Sequence, residues 1–493
     1  MSSQQVNGTI SRLFSKIKKK QTGGRGSILH DNSTGEDHEC VTINSLPDDV
    51  LLEIFNRHRL STFPNDQTDD MWKWHRLTRV CRRWRYVIFA SPRRLDLRLL
   101  CTNGTPVRRT LDCWPALPIS IQYGEVVGRP PPALKDEDNI IAALEHPARI
   151  YEIQLSLTES LFDKLAALKQ QPFPVLDHFL LTSFDRGELS ALPSTILCES
   201  APRLRTLFFD GIPFPMLPKL LLSTKDLVYL TLWNIPSAGY FSPESLVTSL
   251  SGMTQLKTLY IEFASPSSRP NRRSLPPLRR AVLSTLTQFT FHGISEYLED
   301  VVAGIDAPAL SYFHVKLFNQ LMFDVPQLHQ FIFRAERLRV PTYAELEYVF
   351  ENSVVIILKN TLGEVLLEIA CKPLDWQVSS MSDICNQCST LFSRVEKLRI
   401  YGQFPQPERQ EEIGVPEWLE LFRPFTTVSS LYVSGSLEPL VAAVLEDAAD
   451  GPVMEVLPAL QVLRFEGSRN SAPVEKFVTA RQPTLNVRYR DFN

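Results

Sequence analysis

From about residue 150 onward, apolar positions recur as apolar-x-x-apolar-x-apolar. Five copies are led by proline: Pro174-x-Leu176 with Phe179 and Leu181, Pro202-x-Leu204 with Leu207 and Phe209, Pro308-x-Leu310 with Phe313 and Val315, Pro326-x-Leu328 with Phe331 and Phe333, and Pro458-x-Leu460 with Leu463 and Phe465. Chance at this composition gives roughly one such copy or fewer. Copies without the proline fill the gaps: Ile150/Ile153/Leu155, Leu227/Leu230/Leu232, Leu256/Leu259/Ile261, Leu286/Phe289/Phe291, Val395/Leu398/Ile400 and Val428/Leu431/Val433. Most successive copies start 18 to 33 residues apart. Each copy predicts one strand followed by a variable helix or loop. Such a unit cannot bury its own apolar face, so the units must stack.

Two helical patterns precede the repeat. In INSLPDDVLLEIFNRH, Pro47 suits a first helical turn, Asp48 and Asp49 favour the positive end of the helix dipole, and Val50, Leu51, Ile54 and Phe55 form an apolar stripe. In WKWHRLTRVCRRWRYVIF, the residues Leu77, Val80, Cys81, Trp84 and Ile88 recur at three- and four-residue steps, and Ser91-Pro92 ends a second amphipathic helix. A helix pair this small cannot bury both apolar faces by itself. Something else must cover them.

The expected fold is therefore an irregular, horseshoe-like leucine-rich-repeat solenoid, an α/β repeat, over residues 141–490, behind a small all-α unit at 41–95. Residues 1–40 are polar and expected to be disordered. Residues 96–140 read as a linker with one short strand around Ile119 and Ile121 and the start of a helix. The rhythm lapses between residues 334 and 394, where SVVIILKN and EVLLEIACKP look like strands out of register. Where such repeats commonly carry an asparagine stand Ile212, Ile235, Ala264 and Ile294, so no asparagine ladder is expected.

Composition narrows the function classes. A hydrophobic fraction of 44% and a charged fraction of 22% are ordinary for a soluble protein, and a net charge of -3 gives no push toward nucleic acid or membrane. Eight cysteines in 493 residues are too few for a disulfide framework. No amino-terminal signal or bilayer-length apolar run is visible, so the expected location is the cytoplasm, the nucleus or both. Lys16, Lys18, Lys19 and Lys20, beside Leu13, Phe14 and Ile17, read as a solvated tail or as an import or membrane-grazing patch.

No chemistry stands out. Cys385 and Cys388 form a CxxC pair, but no second pair lies at zinc-ligand spacing, and on a helix they share one core face. The nine histidines are scattered, with no HExxH, no phosphate loop and no nucleophile elbow. No catalytic residue, metal or cofactor is expected. Arg76, Arg79, Arg82, Arg83 and Arg85 among Trp72, Trp74 and Tyr86 allow a nucleic-acid helix, but they also suit a solubilising face opposite the apolar stripe.

The outward face of the repeat strands is richer. With Leu207 and Phe209 inward, alternation turns Phe208 and Asp210 outward, followed by Trp233, Tyr260, Glu262, His292, Tyr312 and Lys316. The next copy adds Arg334. The column Asp210, Trp233, Glu262, His292, Lys316, Arg334 then runs from acidic to basic. Aromatics on a solvated strand face fit partner binding, or they are covered by a loop or the carboxy-terminal segment.

Leu46-Pro47, Ile54-Phe55, Leu77 and Val80-Cys81-Arg82-Arg83-Trp84 resemble an F-box, although the gap at residues 58 to 71 is longer than in a compact one. The whole chain is similar to fungal F-box proteins with irregular leucine-rich repeats. That resemblance implies a substrate adaptor of a Skp–cullin–F-box ubiquitin ligase. Leu46, Pro47, Ile54, Phe55, Leu77, Val80, Cys81 and Trp84 would dock the Skp-family linker and, through it, a cullin. Phe208, Trp233, Tyr260, His292, Tyr312, Lys316 and Arg334 are the candidates for holding a target protein. Trp84 is then the expected hot spot of the linker interface. The alternative is a non-enzymatic scaffold with the helices as an end cap on the first repeat, near Ile153 and Leu155. An enzyme or RNA-binding protein using the solenoid face is a third class.

Overall fold

A computed structural model describes residues 43–60, 74–92, 94–124, 134–167, 172–183, 191–192, 201–266, 279–320, 323, 325–349, 352–403, 415–449, 456–466, 474–481 and 484–489. The tail at 1–40, with its lysine cluster, and most of the gap at 58 to 71 lie outside these residues. The chain divides into two units, Met1–His58 and Arg59–Asn493.

In the first unit, a short turn at Ile43–Ser45 leads into the helix Asp48–Leu60. The Leu51 N–H donates to the Pro47 carbonyl at 3.0 Å, so the proline sits where its missing N–H costs nothing. Glu53 and Arg57, one turn apart, pair at 2.8 Å.

The second unit opens with helical residues 74–78, a turn through Arg79 and Val80, and the helix Arg82–Ala90. The continuous helix expected through Leu77 and Ile88 is thus broken. Cys81 takes an extended conformation as N-cap, and its Sγ accepts from the Trp84 N–H at 3.5 Å. Arg85 Nε donates to the Thr78 carbonyl at 3.0 Å, satisfying a group the break would leave open.

Eighteen strands follow among the described residues: β1 (Leu99–Thr102), β2 (Ile119–Tyr123), β3 (Ile150–Leu157), β4 (His178–Ser183), β5 (Thr206–Asp210), β6 (Tyr229–Ile235), β7 (Thr258–Phe263), β8 (Ala281–Val282), β9 (Gln288–Gly293), β10 (Ile305–Asp306), β11 (Tyr312–Phe318), β12 (Tyr343–Val349), β13 (Ser353–Lys359), β14 (Glu364–Ala370), β15 (Lys397–Gln403), β16 (Ser430–Gly435), β17 (Val462–Phe465) and β18 (Asn486–Tyr489). Sixteen form one sheet in the order β1-β2-β3-β4-β5-β6-β7-β9-β11-β14-β13-β12-β15-β16-β17-β18, while β8 and β10 pair separately. Within 96–140, the short strand expected around Ile119 and Ile121 is β2, and the expected helix start opens the helix Leu134–Leu144; β1 is unexpected, and both strands join the edge of the sheet.

The core follows from the period of two. Leu207, Leu230, Leu259, Phe289 and Phe313 are register partners in turn, and all are fully buried. Burial of such a side chain contributes roughly 1.5–3 kcal/mol, so a continuous column of them carries the sheet.

Ten of the eleven apolar copies named above contribute a strand. The exception is Pro326–Phe333, which lies in the helix Pro326–Arg334. Leu328 and Phe331 are three apart, a spacing that suits a helix as well as a strand entry. Buried Glu299 decides it by accepting the N–H groups of Gln327 and Leu328 at 2.7 and 2.8 Å, which caps the helix.

The lapse in rhythm also has a cause. β12, β13 and β14 form an antiparallel meander inserted in reverse order, so β14 pairs with β11 and β12 with β15, both in parallel. At the β13–β14 turn, Asn360 Oδ1 accepts from the N–H groups of Leu362 and Gly363 at 2.7 and 2.9 Å. No helix among the described residues is long and apolar enough to cross a membrane.

Candidate functional site

Two surfaces collect the residues of interest. Residues 43–98 carry two apolar stripes, one in each unit, and each is partly covered along its own length. Phe55, Leu77 and Trp84 are buried, Trp84 being only 4% exposed, whereas Val80 is 59% exposed. Leu46, Ile54 and Cys81 are half-buried and Pro47 is exposed. Trp84 is therefore not the surface hot spot expected of it. The break at Val80–Cys81 turns Trp84, Val87 and Ile88 inward and leaves Val80 and Tyr86 outside.

Both sides of the break pack on Trp114, between β1 and β2. Trp114 lies 5.5 Å from Trp74, 4.5 Å from His75 and 6.1 Å from Phe89, all edge-on. His75 sits in this cluster, where burial and then the nearby Arg79 push its imidazole down to about 4.

The second surface is the outward face of the sheet. Phe208, Trp233 and Tyr260 meet edge to face across β5, β6 and β7, at 5.7 and 5.5 Å. Tyr260 donates its hydroxyl to Glu262 Oε2 at 2.6 Å, and His292 Nδ1 lies 3.5 Å from Glu262 Oε1. The His292 contact holds the Glu262 carboxyl below its usual range. One strand further on, Tyr312 neighbours His314. Trp233 and Tyr229 are 41% and 47% exposed, and the carboxy-terminal β18 pairs at the sheet's far edge instead of lying over them.

Arg334 does not join this face. It ends the helix Pro326–Arg334, pairs with Asp306 at 2.5 Å and donates to the Val302 and Ile305 carbonyls. Its expected place beside Lys316 is taken by Glu368 of β14, 2.8 Å from Lys316 Nζ and 3.5 Å from His314 Nε2. Burial works against ionising Glu368, but the hydrogen bonds from His314 and Lys316 outweigh it and hold the carboxyl at about 2. The basic end of the expected column is thus replaced by neutralised pairs, continued by Lys359 with Glu364 at 3.0 Å and Arg399 with Glu345 at 3.2 Å. Sequence reading missed Glu345, Glu364 and Glu368. Their alternation in the out-of-register strands was the available signal, but the reversed strand order hid their neighbours.

Cys385 and Cys388 lie in and at the end of the helix Leu374–Gln387, both buried. Burial pushes both thiols up, Cys388 to about 12, away from the thiolate that redox or metal chemistry requires.

No curated protein matches the chain. Residues 43–98 match the F-box-like family, so the chain carries an F-box-like domain ahead of its sixteen-stranded, mostly parallel sheet.

Proposed function

We propose that the chain is the substrate-recognition subunit of a Skp–cullin–F-box ubiquitin ligase. One observation carries the reading: the F-box-like match at residues 43–98 coincides with outward apolar residues, above all Val80 at 59% exposure. The linker docks on that segment and brings a cullin with it. The strand-and-helix array is read as an irregular leucine-rich-repeat solenoid whose outward strand face, around Phe208, Trp233, Tyr260, His292, Tyr312 and Lys316, holds the target. The chain itself performs no bond chemistry and needs no cofactor. It raises the concentration of target lysines near a ubiquitin-charged enzyme carried elsewhere in the complex. The setting is the cytoplasm, the nucleus or both.

Co-expression of the full chain with a Skp-family linker, followed by size-exclusion chromatography, tests the proposal. One co-eluting complex is expected. Separate elution of two well-behaved proteins removes the adaptor reading.

A second reading draws on the packing of Trp74, His75 and Phe89 around Trp114, together with buried Trp84. These contacts suit an end cap on a scaffold, which is monomeric alone and ignores the linker.

A further inference from the structure

The outward face over β4–β7 has a charge pattern that names a partner chemistry. Three outward positions on each of these four strands carry no lysine or arginine. They do carry two carboxylates, Asp210 and Glu262. Glu262 already serves Tyr260 and His292. Asp210 differs: Asn234 Nδ2 donates to its Oδ1 at 2.8 Å, and no cation pairs with it among the described residues.

Asp210 is the register partner of Trp233 on the adjacent strand. Phe208 and Tyr260 hold the Trp233 ring edge-on from either side, at 5.7 and 5.5 Å, yet the indole keeps 41% of its surface in solvent. A braced, half-exposed indole beside a carboxylate that pairs with no cation among the described residues is complementary to a planar cation. The ring face attracts positive charge, and the carboxylate accepts two parallel N–H groups. Guanidinium meets both demands, whereas an ammonium offers a point charge without a plane to stack.

We infer that this face receives an arginine side chain of a bound polypeptide, stacked on Trp233 and paired with Asp210. The inference rests on the reading of the strand face as the target-binding surface and specifies the class of target: an exposed segment bearing arginine. Acidic segments are disfavoured, because Asp210 and Glu262 repel them.

A phage-displayed random heptapeptide library panned on the purified full-length chain supplies the test. Arginine is expected at one fixed position of the recovered peptides. Replacing it by citrulline in a synthetic copy removes the charge and keeps the shape, and should weaken binding by about tenfold or more. Asp210→Asn and Trp233→Ala should each weaken the arginine peptide comparably. Both change partly solvated side chains, so thermal melting should stay near that of the unaltered chain. Recovery of no peptide, of arginine-free peptides, or of a peptide indifferent to citrulline or to both variants overturns the inference. Linker co-elution, measured on the same variants, reports separately on residues 43–98, so either reading can fail while the other stands.

Discussion

Lys316 on β11 and Glu368 on β14 lie 2.8 Å apart across strands that are not consecutive in the chain. The contact exists because the β12–β14 meander enters the sheet backwards, and it makes Glu368 a stability determinant with a definite pH signature. Its carboxyl is held at about 2, below the ordinary 4.5. A depressed carboxylate contributes stability that is present above pH 4.5 and is lost as pH falls through about 2. Glu368→Gln should cost roughly 1–3 kcal/mol at neutral pH, from lost hydrogen bonds to charged groups. It should also flatten the acid limb in that window. Denaturant unfolding at a series of pH values measures both effects, and an unchanged acid limb contradicts the assignment.

Arg334 carries a structural prediction in place of a binding one. Its guanidinium serves Asp306 and two carbonyls at the end of the helix Ser295–Gly304. Arg334→Ala should therefore lower stability by roughly 1–3 kcal/mol through the polar groups it leaves unpaired. Peptide or target affinity at the outward strand face should stay unchanged. Calorimetry paired with a binding titration separates the two effects.

His75 makes the aromatic cluster acid-sensitive. Burial, followed by Arg79, lowers its folded pKa from 6.5 to about 4. A lowered histidine favours the fold while neutral, so stability is full above 6.5 and declines as pH falls through about 4. Trp74 and Trp114 flank the ring and report on the cluster. Their fluorescence should change over this window, and His75→Gln should remove that change. A transition surviving in the variant assigns it to another group.

The strands were legible because their signal is local. Leu207 with Phe209, or Leu431 with Val433, states which face is inward whatever the neighbours are. Three features were not legible: two depend on residues distant in sequence, and the third on a local cap that the apolar spacing does not reveal. The Pro326 copy satisfies both helix and strand spacing, and Glu299 from a preceding element breaks the tie. Glu368 became Lys316's neighbour through strand order, which alternation does not encode. Val80 and Trp84 fall on one stripe of an unbroken helix, and only the extended Cys81 cap moves them to different environments.

That last separation gives the most direct test of the adaptor account. Titrating a Skp-family linker into the full-length chain, its Val80→Asp variant and its Trp84→Ala variant compares an exposed position with a buried one. Val80→Asp should melt like the parent yet bind the linker about tenfold or more weakly, as a charge placed in an apolar docking surface requires. Trp84→Ala should instead destabilise the domain, by roughly 3–5 kcal/mol for a buried aromatic. Equal linker affinity for the parent and Val80→Asp contradicts the account.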